Sequence, residues 1–124
     1  MKGVRAILNS EKVIEKFISK NRHRVVETVN MWIQEIDPSR IIGITYPYSF
    51  PEILEDFKMQ RLKQNIDLFG GWDMCPIKAS TLDILKFPNG DLVVNGSGNH
   101  RAVLAKELGL KSISANVQEV RYLD

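Results

Sequence analysis

A chain of 124 residues, 44% hydrophobic and 26% charged, has the length and make-up of one globular domain and can bury about two-thirds of its unfolded surface. No apolar run approaches the roughly 20 residues of a membrane span, and "MKGVRAILNS" has too short an apolar core for a secretory signal, so no membrane partner is expected. Cys75, the single cysteine, excludes an internal disulfide and fits a reducing, cytoplasmic compartment, and with only two histidines beside it a multi-Cys/His zinc cluster is excluded too.

The net charge of +2 is unevenly spread: residues 1–24 carry seven Lys and Arg against two Glu, a net +5, and residues 25–60 carry a net −4. Such a basic arm is either a solvated or paired helix face or a contact for a polyanion such as DNA. Asn9 or Ser10 is placed to cap a helix starting near Glu11. Ile14, Ile18, Val25, Val29, Trp32 and Ile36 then fall near helical spacing, which predicts one bent helix or two short ones. Residues 1–39 are therefore expected to be an N-terminal helical extension, docked on the core or forming a homodimer seam. Asp37-Pro38-Ser39 ends it, because proline disfavours α conformation in the residue before it.

Residues 40–124 are expected to form a compact α/β domain with a small mixed sheet. "RIIGITYP" reads as a strand, and Ser49-Phe50-Pro51-Glu52 follows the capping-box pattern. Leu54, Phe57, Leu62, Ile66 and Phe69 predict an amphipathic helix closed by Gly70-Gly71. Met74–Ala79 is expected to be a short strand. Two apolar runs flank Pro88-Asn89-Gly90, a strong hairpin signal. A Gly96–Gly98 turn leads into a helix over about His100–Leu108, stopped by Gly109, and Ile113, Ala115 and Val117 alternate as a last strand.

The stretch "NGSGNHRAVLAKELGL" carries the chemistry. Asn99 is placed to cap the helix, leaving His100 and Arg101 in its first turn, where unpaired N–H groups and the helix dipole favour an anion. Arg101 is disfavoured there by up to about 1 kcal/mol unless paired, either by a carboxylate such as Asp91 or by a bound phosphate. Glycines at 96 and 98 permit a ligand close to the backbone, or simply make a tight strand-to-helix turn. The turn is no Walker loop, since no Gly-Lys-Ser/Thr follows, and it lacks the full Gly-x-Gly-x-x-Gly spacing.

Residues Leu92–Val117, "LVVNGSGNHRAVLAKELGLKSISANV", resemble the ParB/sulfiredoxin superfamily, in which a strand enters a Gly-x-His-Arg or Gly-Glu-Arg-Arg turn. An Ala-rich helix, Leu-Gly and an Ile-Pro-Ala strand follow in that family. The likeness covers Arg61–Val120, and Ser49–Phe69 stands where the preceding family helix would lie. It implies a single ParB/sulfiredoxin-like domain over residues 40–124 that binds nucleotide phosphates at this turn. Gly98, His100 and Arg101 occupy the family's phosphate positions, Asn99 its variable one, and Gly96 and Ser97 complete the cofactor-binding turn. The implied cofactor is ATP, ADP or CTP with Mg2+. Sulfiredoxins carry a catalytic cysteine where Asn99 stands, so sulfinic-acid reduction is not expected. ParB partition proteins have Glu-Arg in place of Asn99-His100 and continue into a DNA-reading helix-turn-helix, so with the sequence stopping at Asp124 centromere binding is not expected. Ser114 replaces the family's usual proline. Serine kinases of the superfamily use a carboxylate upstream of the turn, which makes Glu52 and Glu55, with His100, the catalytic candidates.

Elsewhere, His23 is expected to be solvated and Cys75 a buried small hydrophobe. Tyr46, Tyr48 and Phe50 either pack the loop or offer a face for a base, and Trp72 is expected under the N-terminal helix. Two functions remain open: a nucleotide-binding domain, as phosphotransferase, hydrolase or sensor, and a DNA-binding or adaptor module using the basic arm without catalysis.

Overall fold

The computed structural model describes residues 7–124; Lys2 and Arg5 of the basic arm lie outside them. A two-residue strand, β1 (Leu8–Asn9), enters helix α1 (Ser10–Lys20), which Asn9 caps by accepting the Lys12 N–H at 3.1 Å. Next come β2 (Val26–Ile36), a 3-10 turn at Pro38–Arg40 capped by Asp37, and β3 (Ile41–Ile44). A loop and a second 3-10 turn (Glu52–Glu55) lead to α2 (Phe57–Leu68), and two further 3-10 turns (Trp72–Met74 and Ala79–Thr81) precede β4 (Asp83–Lys86). The chain closes with β5 (Leu92–Val94), α3 (Asn99–Glu107) and β6 (Ile113–Tyr122).

The six strands form one mixed sheet in the order β1-β3-β5-β4-β6-β2. Alternation along the inner strands sends their side chains into two separate cores. Ile84, Leu92, Val94, Ala115 and Val117 pack under α2 and α3 with Met59, Ile66 and Val103, while Leu85, Phe87, Val93 and Val120 pack under α1 with Val13 and Phe17. Val93 and Val94 are fully buried because β5 is covered on both faces, which is why its sequence is continuously apolar. The hairpin expected at Pro88-Asn89-Gly90 is present: β4 and β5 pair antiparallel, and Phe87 N–H donates to Asp91 O at 2.9 Å.

The largest correction concerns residues 25–36. They are not helical. Val26–Ile36 pairs antiparallel with β6 from Val26↔Tyr122 to Ile36↔Ile113. Val26, Thr28, Val29, Ile33 and Ile36 are β-branched, and β6 offers a partner of matching length, so tertiary pairing decides between the two periods. The register slips between Asn30 and Trp32, where Trp32 adopts φ 58°. This bulge explains why the apolar positions follow no strict alternation. Residues 7–39 are thus no helical extension: β1, α1 and β2 belong to the sheet and its covering layer. Met74–Ala79 is likewise not a strand. Met74 and Ala79 belong to the flanking 3-10 turns, and Pro76 between them has no N–H to give a ladder. Trp72 packs against the α2–α3 core, on the face opposite α1, so the N-terminal helix does not cover it. His23 is exposed in the turn after α1, and Cys75 is half-buried against the main core.

Candidate functional site

Strands β3 and β5 run parallel side by side, and α3 starts just beyond the carboxyl end of β5. The space outside the carboxyl ends of parallel strands is where α/β sheets present ligand crevices. Here it is a cleft of about 450 Å3 bordered by Thr45, Tyr46, Tyr48, Lys58, the Gly96–Gly98 turn and the first turn of α3, a volume typical of small-ligand sites.

The two glycines have structural duties. Gly96 has φ 142°, and a Cβ there would meet Asp83 Oδ2 at 2.7 Å; Gly98 has φ 104°, and a Cβ there would meet Leu82 Cδ1 at 2.5 Å. The side-chain direction at both positions points into the protein, so the tight turn accounts for both residues. Asp83 anchors this turn. Its Oδ2 accepts the Ser97 N–H at 3.1 Å, and its own N–H donates to Ser97 O at 2.9 Å. The chain's own carboxylate thus takes the amide of Ser97.

Asn99 does not cap the helix. Gly98 is the cap residue, and the buried Asn99 side chain instead accepts the Thr45 N–H at 2.9 Å and donates to Thr45 Oγ1 at 2.8 Å. It ties the end of β3 to the start of α3. With no side-chain cap, the N–H groups of Asn99, His100 and Arg101 meet no acceptor among the described residues.

His100 lines the cleft with Nε2 held at 2.8 Å from Asp56 Oδ2 and Tyr48 edge-on to its ring at 4.7 Å. The carboxylate that reaches His100 is therefore Asp56. Glu52 and Glu55 lie on the 3-10 turn just before it, outside the cleft lining, and Glu52 accepts the Ser49 hydroxyl at 2.9 Å. The expected capping box does not form: Ser49 and Glu52 meet only through their side chains, the 3-10 turn has no side-chain cap, and the helix begins at Phe57, where Asp56 caps it by accepting the Met59 N–H at 2.8 Å. Burial pushes the Asp56 carboxyl up, but hydrogen bonds from His100 and Met59 outweigh it and hold the group below its ordinary value.

That direction sets a sign. A depressed folded-state pKa contributes stability above the unfolded value, about pH 4, and loses it as pH falls through the folded value. Asp56→Asn keeps a capping oxygen but not the charge. It is expected to be less stable than the unsubstituted chain at pH 6, with a shallower loss of stability between about pH 5 and pH 3. Denaturant unfolding across that range checks this, and parallel curves for the two proteins would contradict it.

Arg101 donates to Lys78 O at 2.9 Å and Thr81 O at 3.0 Å. Asp91, considered above as its partner, is paired with Arg40 at 3.2 Å instead. Among the described residues no carboxylate stands within ion-pair distance of Arg101, and burial shifts its pKa downward. The carbonyls satisfy two of its five donors and offset its position at a helix start, but they leave its charge uncancelled. Lys58, not singled out in the sequence, borders the cleft from α2, with Nζ 2.9 Å from the Tyr48 hydroxyl. Three cationic or cation-capable side chains and three open amides thus surround one cleft, with Asp56 behind His100. No group of three or more His, Cys, Asp or Glu side chains among the described residues is arranged to hold a metal ion. No described helix is long and apolar enough to cross a membrane. The chain matches no protein-family model, no curated protein and no solved structure.

Proposed function

We propose that this cleft binds the phosphate groups of a nucleotide, the ligand implied by the resemblance of residues 92–117 to ParB/sulfiredoxin-like proteins. The observation that carries the reading is the convergence of Lys58, His100, Arg101 and the uncapped N–H groups of α3 on one cleft of about 450 Å3. Amides at a helix start and charge-assisted donors together suit an oxyanion. Arg101, fixed on two carbonyls, contributes mainly through its charge, while Lys58 and the α3 amides supply direct donors. Tyr46, 82% exposed at the rim, offers a face for the base. Mg2+ enters this reading bound to the phosphates, because it is commonly held by substrate phosphates with only one or two carboxylates. A nucleotide sensor needs nothing more. A phosphotransferase or hydrolase would draw on His100, oriented by Asp56, rather than on Glu52 or Glu55.

Thermal unfolding with ATP, ADP or CTP at millimolar concentration with magnesium tests the reading. A nucleotide at 100 times its dissociation constant adds about 2.7 kcal/mol of stability. His100→Ala and Lys58→Ala are each expected to weaken binding about tenfold, since a hydrogen bond to a charged group contributes about 1.5–3 kcal/mol. Unchanged melting with all three nucleotides removes the proposal.

A further inference from the structure

The opposite face of the sheet holds a second cleft that plays no part in the nucleotide reading. Between α1 and the β4–β5 turn lies a cavity of about 460 Å3, again within the small-ligand range. Its floor is apolar, made by Leu8, Val13, Phe17, Ile42, Phe87 and Tyr122. Along one wall stand Lys12, Lys16 and Lys20, four residues apart on α1 and hence on one stripe of the helix.

The polar groups of this cleft divide sharply. Asn21 is used at both ends, donating to Phe17 O at 2.8 Å and accepting the Tyr122 hydroxyl at 3.0 Å. Asp91 on the far rim is engaged by Arg40 at 3.2 Å and by Asn89 at 3.1 Å, so its charge is compensated. The three lysines, by contrast, have no carboxylate within ion-pair distance among the described residues. An apolar floor beside three uncompensated cations is complementary to a molecule with an apolar body and an anionic head.

We propose that this cleft binds an anionic amphiphile of the medium-chain carboxylate class, its chain on the aromatic and aliphatic floor and its carboxylate among the lysine ammonium groups. Long flexible lysine stems let ammonium groups from successive turns approach one head group. Other occupants fit less well. Residues 1–6 carry Lys2 and Arg5 and repeat the sign of the wall, as does the α1 stripe of a second copy. Nucleic acid would match the lysines but leave the apolar floor without a counterpart.

Titration of the full chain with decanoate below its micellar concentration, followed by calorimetry and amide NMR, tests the proposal. Saturable binding is expected, with amide shifts centred on α1 and Phe87. Decanol and decyltrimethylammonium should bind at least about tenfold more weakly. Exposed ion pairs each contribute about 0.2–1 kcal/mol and tenfold in affinity is 1.4 kcal/mol, so the Lys12→Gln, Lys16→Gln, Lys20→Gln triple variant should lose about tenfold for decanoate and nothing for decanol. Equal binding of the anion and the cation, no binding of decanoate, unaltered decanoate affinity in the triple variant, or shifts centred on α3 would each overturn it. Should the triple variant fail to fold, the three-probe comparison on the unsubstituted protein decides alone. Because the nucleotide cleft lies on the other side of the sheet, the two readings stand or fall separately.

Discussion

Gly98→Ala is expected to destabilise the protein by about 2–5 kcal/mol. A φ of 104° disfavours any L side chain, and the new Cβ would stand 2.5 Å from Leu82 Cδ1 and 2.9 Å from Leu82 Cα. Backbone strain of this kind is of order 1–3 kcal/mol, and overpacking adds a similar amount. Leu82 is buried and cannot swing aside freely. Gly109 supplies the control: its φ is 66°, with nothing within 4 Å of a built Cβ, so Gly109→Ala should lose only about 1–2 kcal/mol, the left-handed penalty alone. Urea unfolding of both variants measures the difference. Equal losses would show that the contact with Leu82 relaxes at no cost.

Asn99→Ala has the second largest expected effect, about 2–4 kcal/mol. Truncation strands the Thr45 N–H and removes a donor from Thr45 Oγ1 in a part-buried location, and each unsatisfied group costs about 1–3 kcal/mol. Asn99→Asp retains an acceptor for the Thr45 N–H, gains favour from the helix dipole, and should lose about 1 kcal/mol or less. An alanine effect below that of aspartate would mean that the β3–α3 tie contributes little. This tie also fixes the start of α3 beside β3, so Asn99→Ala should weaken any ligand held at the α3 amides even though the substitution keeps the N–H of residue 99.

What could be read from the sequence depended on punctuation. Gly70, Gly71, Gly90, Gly96, Gly98 and Gly109 all take positive φ values, and only local chemistry is needed to recognise such positions. The hairpin, the ends of α2 and α3 and the start of α1 were legible for that reason. β2 was not. Its apolar residues fit a helical period tolerably, and what makes it a strand is β6, some ninety residues away, together with a bulge at Trp32 that breaks the alternation. Glu52 and Glu55 were candidates because the resemblance implies a carboxylate upstream of the turn. The 3-10 turn at 52–55 delays the helix to Phe57 and brings Asp56 to His100 instead. A signal for this existed: Asp56 stands three residues before Met59, the spacing of an N-cap to the amide it satisfies. Asn99 illustrates the opposite limit. Its capping potential was plain in the sequence, and only the approach of Thr45, 54 positions earlier, redirects its side chain.

The most direct measurement is a two-dimensional amide NMR titration of the intact chain with ATP and magnesium. If the mouth of α3 holds phosphate, the amides of Asn99, His100 and Arg101 shift first and saturably, those of α1 stay still, and His100→Ala moves the midpoint of the response to about tenfold higher nucleotide. Silence at those three amides up to millimolar nucleotide, or a response that survives His100→Ala unchanged, would contradict the account.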